Sequence, residues 1–111
     1  MTATSYAVRF TLEADKDLEL LYDYVAETRS AREADALLDR ILDRIGSLES
    51  FPHRGAVPKE LDDLGTADFR QTLVSPYRLI YRVIETTVVV VLIADGRRDM
   101  AALLKRRLLG R

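Results

Sequence analysis

Five arginines in the C-terminal half of this chain stand at spacings that could bring their guanidinium groups together. Arg70, Arg78 and Arg82 fall in extended segments, and Arg97 and Arg98 fall in the turn Gly96-Arg97-Arg98-Asp99. A guanidinium is planar, permanently charged and able to hold a carboxylate or phosphate through two parallel hydrogen bonds. Like charges a few ångströms apart repel, and burying them without counter-ions costs several kcal/mol each. Such a cluster is therefore solvated, paired with carboxylates of the same chain, or built to receive an anion. The residues alone leave an anion or partner site and an internal network equally open.

Other chemistry has less to stand on. His53, the single histidine, follows Pro52 and precedes Arg54 in a loop with no acid–base partner evident, so it reads as inert. Without cysteine there is no disulfide framework and no thiolate metal site. No cofactor, no metal and no catalytic residue is expected from these patterns.

The formal net charge of -1 conceals an asymmetry. Residues 1–68 carry 8 Lys+Arg against 15 Asp+Glu, whereas residues 69–111 carry 9 against 3. A basic C-terminal half gives a positive surface that attracts anionic partners, unless the acidic half compensates it within the fold. The 111 residues suit one domain, 1–111. No apolar run approaches the ~18 residues of a membrane span. The N-terminus MTATSYAVRF lacks the basic start and long apolar core of a signal peptide. A cytoplasmic protein without membrane association is the expectation.

The elements that must position the arginines follow from periodicity. Ser5 to Phe10 alternates as a short strand with Tyr6, Val8 and Phe10 on one face. Thr11 is a candidate N-cap, with Glu13 and Asp15 in the first turn, where the helix dipole favours negative charge. Leu18, Leu21, Tyr22 and Val25 then form a core-facing stripe. Leu20 and Tyr24 lie off it, as a second apolar patch that either covers a neighbouring helix or receives a partner. Ser30-Ala31-Arg32-Glu33 fits a capping box before a second helix. There Ala34, Leu37, Leu38, Ile41, Leu42, Ile45 and Leu48 share one broad face. The short link between the two helices predicts an antiparallel helical hairpin.

Pro52 ends that hairpin, and Phe51 is expected to pack under the helix end. Residues 57–68 form an irregular connection with acidic residues Glu60, Asp62 and Asp63, and room for a helical turn around Leu61 and Leu64. Extended structure returns from Asp68 to Val74 and turns at Ser75-Pro76. The next strand places Tyr77, Leu79, Tyr81 and Val83 on one face, with Arg78, Ile80, Arg82 and Ile84 on the other. After the turn at Glu85-Thr86-Thr87, the almost uniformly apolar Val88–Ala94 marks a central strand buried on both faces. Asp99 is a candidate N-cap for a last helix in which Met100, Leu103, Leu104 and Leu108 recur at helical spacing. Lys105, Arg106 and Arg107 suit its C-terminal dipole.

The order is β-α-α-β-β-β-α, an α+β fold with the helical hairpin packed on one face of a mostly antiparallel sheet. The first strand should lie beside the central apolar one. The opposite face is expected to carry Arg70, Arg78 and Arg82 together, with Arg97 and Arg98 at its rim.

In its order of elements and in the phrases DLELLYDYV, SPYRLIYRV and VVVVLIADGRRD, the chain resembles the RelE/ParE superfamily of bacterial type II toxins. The resemblance spans nearly the whole chain and is most specific over Ser75–Val83 and Val88–Asp99. It implies a toxin neutralised by a cognate antitoxin encoded beside it, in a hetero-oligomer. The antitoxin's tail would lie over helices and sheet, which gives Leu20 and Tyr24 a role. RelE-like members cut mRNA in the ribosomal A site. In that pattern Arg70, Arg78 and Arg98 match basic positions, but Thr72 replaces a second basic residue and Leu104 replaces a tyrosine. Without that proton donor, a contribution commonly worth ~10²–10⁴-fold is missing. ParE-like members, associated with poisoning DNA gyrase as protein-binding inhibitors, resemble this chain better. The resemblance thus implies a gyrase-directed toxin with no direct nucleic-acid binding of its own. Its toxicity residues would be Arg78, Arg97 and Arg98, followed by Arg70 and Arg82. A RelE-like mRNA endonuclease and a toxin-fold protein with another target are the alternatives.

Overall fold

Capping side chains fix where the helices begin. Thr11 Oγ1 accepts from Ala14 N at 3.0 Å, Ser30 Oγ from Glu33 N at 3.0 Å, and an Asp99 carboxylate oxygen from Ala102 N at 3.0 Å. All three candidate N-caps therefore act as such, each satisfying a backbone donor that the helix itself leaves free. The computed structural model describes residues 5–64 and 68–109. Its elements are β1 (Ala7–Phe10), α1 (Leu12–Thr28), α2 (Ala31–Gly46), β2 (Phe69–Val74), β3 (Tyr77–Ile84), β4 (Thr87–Asp95) and α3 (Met100–Leu109), with 3-10 turns at Ser47–Glu49 and Lys59–Leu64. The expected helical turn around Leu61 is thus present, and Leu61 is fully buried. Gly65 and the side chains of Asp62, Asp63 and Leu64 lie outside the described residues.

One four-stranded sheet runs in the order β1-β4-β3-β2. β1 pairs parallel with β4, as expected, and β2, β3 and β4 form an antiparallel meander. β4 earns its apolar sequence by lying inside the sheet, with residues 90–94 all buried. A register shift pairs Tyr81 with Val90 but Ile80 with Leu92, so Val91 is an extra residue, a β-bulge.

The helical hairpin covers one face. Ala14, Val25, Ala34, Leu37, Ile41 and Ile45 pack there against Leu79, Tyr81, Val88 and Val90. α3 and the turn carrying Leu61 cover the other, where Met100 and Leu104 meet Phe69, Ile80 and Leu92. Each fully buried Leu, Ile or Val side chain contributes about 1.5–3 kcal/mol. No described helix is long and apolar enough to cross a membrane.

Two expectations about burial fail. Leu42 is exposed, because the sheet-facing row runs through Leu37, Ile41 and Ile45, and Leu42 lies beyond its edge. Phe51 does not tuck under the helix end. It is 54% exposed, with the Arg54 guanidinium 4.5 Å from its ring centre.

Candidate functional site

The arginines do not share one face. Val74 pairs with Tyr77 across the Ser75-Pro76 turn, and the antiparallel register then sets Arg70 opposite Tyr81. Cross-strand partners point to the same side of a sheet. Arg70 therefore joins Tyr81 on the hairpin side, while Arg78 and Arg82 stand with Ile80 on the α3 side. The expectation that Arg70, Arg78 and Arg82 gather on one face is corrected by this parity.

Each of these three has its own partner. Arg70 Nη1 donates to the carbonyls of His53 at 3.1 Å and Gly55 at 2.8 Å. Beside it the Tyr81 hydroxyl donates to Pro52 O at 2.7 Å and accepts from Gly55 N at 3.3 Å. Burial raises the Tyr81 pKa, keeping that hydroxyl a donor. Gly55 is obligatory here, since a Cβ would come within 2.4 Å of Gln71 O. His53 meets Tyr6 edge-to-face, with ring centres 6.1 Å apart.

Arg78 is only 12% exposed and holds Glu60 with two parallel bonds, Nη1 to Oε2 at 2.7 Å and Nη2 to Oε1 at 2.8 Å. Its Nε donates to Gln71 Oε1 at 2.8 Å, and Nη2 also contacts that oxygen. The bonds from Arg78 hold the Glu60 carboxyl at a pKa of about 2. Arg82 lies 5.2 Å over the Phe69 ring, and its Nε is buried without a hydrogen-bond partner among the described residues.

Arg97 and Arg98 behave differently. Arg97 is 78% exposed and its Nη2 grips Asp95 Oδ2 at 2.6 Å. Arg97 bonds, from side chain and then backbone, hold the Asp95 carboxyl at about 2. Both arginines line a groove of about 570 Å3 between α1 and the end of β4, and so do Leu20, Tyr24 and Tyr77. Leu20 is 56% and Tyr24 64% exposed. Two candidate groups that the sequence keeps apart, the apolar pair and the basic corner, thus meet at one groove.

The groove wall depends on a pair that the sequence reading missed. β1 stops pairing with β4 at Val90, so Val91–Asp95 has no described strand beside it on that edge. Side chains take over. Asp17 Oδ2 accepts from Ile93 N at 3.0 Å, and Arg107 Nη1 donates to Val91 O at 2.8 Å. Arg107 and Asp17 also bond to each other at 2.8 and 3.0 Å. A signal existed in both helices. Asp17 sits three residues after Ala14, and Arg107 seven after Met100, each at an apolar-stripe position where a charge implies a buried partner.

Comparison with known proteins agrees with this geometry. Residues 8–100 match the family model described as ParE toxin of type II toxin-antitoxin system, parDE. Toxin ParE3 of Caulobacter vibrioides is 32% identical over 91 residues, covering 82% of this chain and 87% of that toxin. A solved chain of the chromosomal ParDE system from P. aeruginosa superposes with a TM-score of 0.69 at 18% identity, covering 84% of this chain and 98% of that one. A chain of the RelBE2 toxin–antitoxin complex from Mycobacterium tuberculosis gives 0.56 at 28% identity, covering 85% and 94%. With its family's β-α-α-β-β-β-α order and a match over most of its length, the chain belongs to the ParE toxins of type II toxin–antitoxin systems, within the RelE/ParE superfamily.

Proposed function

We propose that this toxin acts by binding a protein target, DNA gyrase, and that a cognate antitoxin neutralises it by occupying the groove at Leu20, Tyr24, Arg97 and Arg98. The observation that carries a binding role is the dispersal of the arginines an RNase would concentrate. Arg70 is turned to the hairpin face and spent on backbone carbonyls, Arg78 is neutralised by Glu60, and only Arg98 of that set lies at the groove. Phosphate stabilisation needs preorganised charges free to converge on one point, and here Arg70 faces the other side of the sheet while Arg78 is already held by Glu60. Leu104, at the position of the expected tyrosine, is fully buried in the α3 core and has no proton to transfer.

In this reading Arg97 and Arg98 touch the target. Arg78, Arg70 and Arg82 support toxicity through the fold, by holding the Lys59–Leu64 turn, the 52–55 loop and the β2–β3 face. An antitoxin segment carrying carboxylates and apolar side chains suits a groove with two arginines at its rim and exposed Leu20 and Tyr24 on its wall.

The test sets purified toxin against gyrase supercoiling and trapped DNA cleavage, beside cleavage of ribosome-bound mRNA, each with and without antitoxin. Supercoiling should fall and linear DNA accumulate, both reversed by antitoxin, while mRNA stays intact. Codon-specific mRNA cuts with gyrase unaffected would refute the proposal in favour of an RNase.

A further inference from the structure

The other edge of the sheet carries a second surface with features of its own. β2 is the last strand, and Gln71 N donates across its outer side to Ala56 O at 2.8 Å. In an antiparallel strand the N–H and C=O of one residue point the same way, and direction alternates along the chain. Leu73, two residues on, therefore presents its backbone pair to the same outer side, where no described strand lies. An unpaired edge with an exposed apolar residue is a template for a further strand, and Leu73 is 51% exposed.

Around it lies a depression of about 390 Å3 whose walls include Arg44, Phe51, Arg54, Thr72 and Leu73, with two arginines and no carboxylate among the described lining residues. Phe51 and Arg54 stack on each other at the surface. The loop bearing them is fixed from beneath by the Tyr81 hydroxyl and the Arg70 guanidinium. An aromatic–arginine pair held on a rigid loop loses little entropy on binding, which is how interface anchors gain affinity. No described residue lines both this depression and the groove near Tyr24.

We infer that this edge is a second docking surface, taking an extended acidic segment of a partner protein. The segment adds to the β2 backbone at Leu73, sets an apolar side chain against Phe51, and places carboxylates on Arg44 and Arg54. Strand addition supplies main-chain bonds, and alternate side chains supply specificity. A nucleic acid would meet the arginines but leave the Leu73 backbone pair and the apolar wall unmatched. A partner seated in the groove leaves this edge free.

The experiment titrates the isotope-labelled full chain with a short peptide of alternating Val and Glu, its Val–Lys counterpart, and a single-stranded oligonucleotide. The acidic peptide should shift amide signals at residues 51–56 and 71–74, slow hydrogen exchange at Leu73, and leave the groove signals in place. Arg44→Glu with Arg54→Glu should weaken it about tenfold or more, the sign of lost charge pairing, while Arg44→Lys with Arg54→Lys keeps part of the affinity. Phe51→Ser should weaken it with the fold intact, since the side chain is exposed. Equal binding of the lysine peptide, preference for the oligonucleotide, shifts confined to the groove, or no binding of the acidic peptide at low salt would each overturn the inference.

Discussion

At the scale of single residues, the arginines divide by what each is bonded to, not by where each falls in the sequence. Arg78 carries the same charge as Arg98 but spends it inside the fold on Glu60 and Gln71. The pair has a definite dependence on pH. Glu60 is held at about 2 in the folded chain, below its ordinary 4.5, by the hydrogen bonds from Arg78 before any other cause. A depressed carboxylate pKa means that the unfolded chain binds the proton more readily. The stabilisation is therefore complete above about pH 4.5 and lost as pH falls through about 2. Glu60→Gln should lower the Tm at neutral pH by about 5–10 °C, as expected for one or two kcal/mol in a chain of this size. Thermal unfolding followed by circular dichroism should show that gap narrowing below pH 4.5 and closing near pH 2. A gap independent of pH would mean that shape, not charge, holds the Lys59–Leu64 turn.

At the scale of elements, most of the fold is legible because its signals are local. Thr11, Ser30 and Asp99 mark helix starts, and the apolar run of Val88–Ala94 marks a strand with neighbours on both sides. What escapes is set between elements. Alternation in β2 and in β3 is readable separately, but which set of one joins which set of the other depends on pairing across Ser75-Pro76, and that choice separates Arg70 from Arg78. The bulge at Val91 and the early end of β1 are equally invisible to periodicity, yet the early end of β1 leaves the open edge that Asp17 and Arg107 cap. This pair joins α1, β4 and α3, and its members are 90 residues apart. Asp17→Asn and Arg107→Gln should each destabilise the chain. Their combined effect should fall short of the sum by about 1–3 kcal/mol, since both remove one interaction. Chemical denaturation of the two single variants and the double variant measures it, and faster amide exchange in α3 should accompany each. Additive effects would show that the two residues act independently.

At the scale of the whole molecule, two surfaces are set apart along the sheet, with no described residue shared between them. The groove at Leu20, Tyr24, Arg97 and Arg98 lies on the α1 and β4 side, and the cationic edge at Phe51 and Leu73 lies along β2. The groove brings the apolar wall and the basic corner within reach of one partner, so under the proposed function an antitoxin seated there also covers the arginines meant for the target. Neutralisation is then occlusion, and the two sets of residues should come apart under mutation. Tyr24→Asp puts a charge on the apolar wall without touching Arg97 or Arg98. It should weaken antitoxin binding by about 30- to 100-fold, as loss of an aromatic anchor does, and leave growth arrest intact. Co-expressed antitoxin would then fail to rescue the cells. Arg97→Ala with Arg98→Ala should lose toxicity and weaken the antitoxin together, because both partners use the same rim. Calorimetry of the purified pair, run beside the growth assay, separates the outcomes. Full rescue of Tyr24→Asp with unchanged affinity would place the antitoxin elsewhere, and undiminished arrest by the double arginine variant would remove the corner from the target surface.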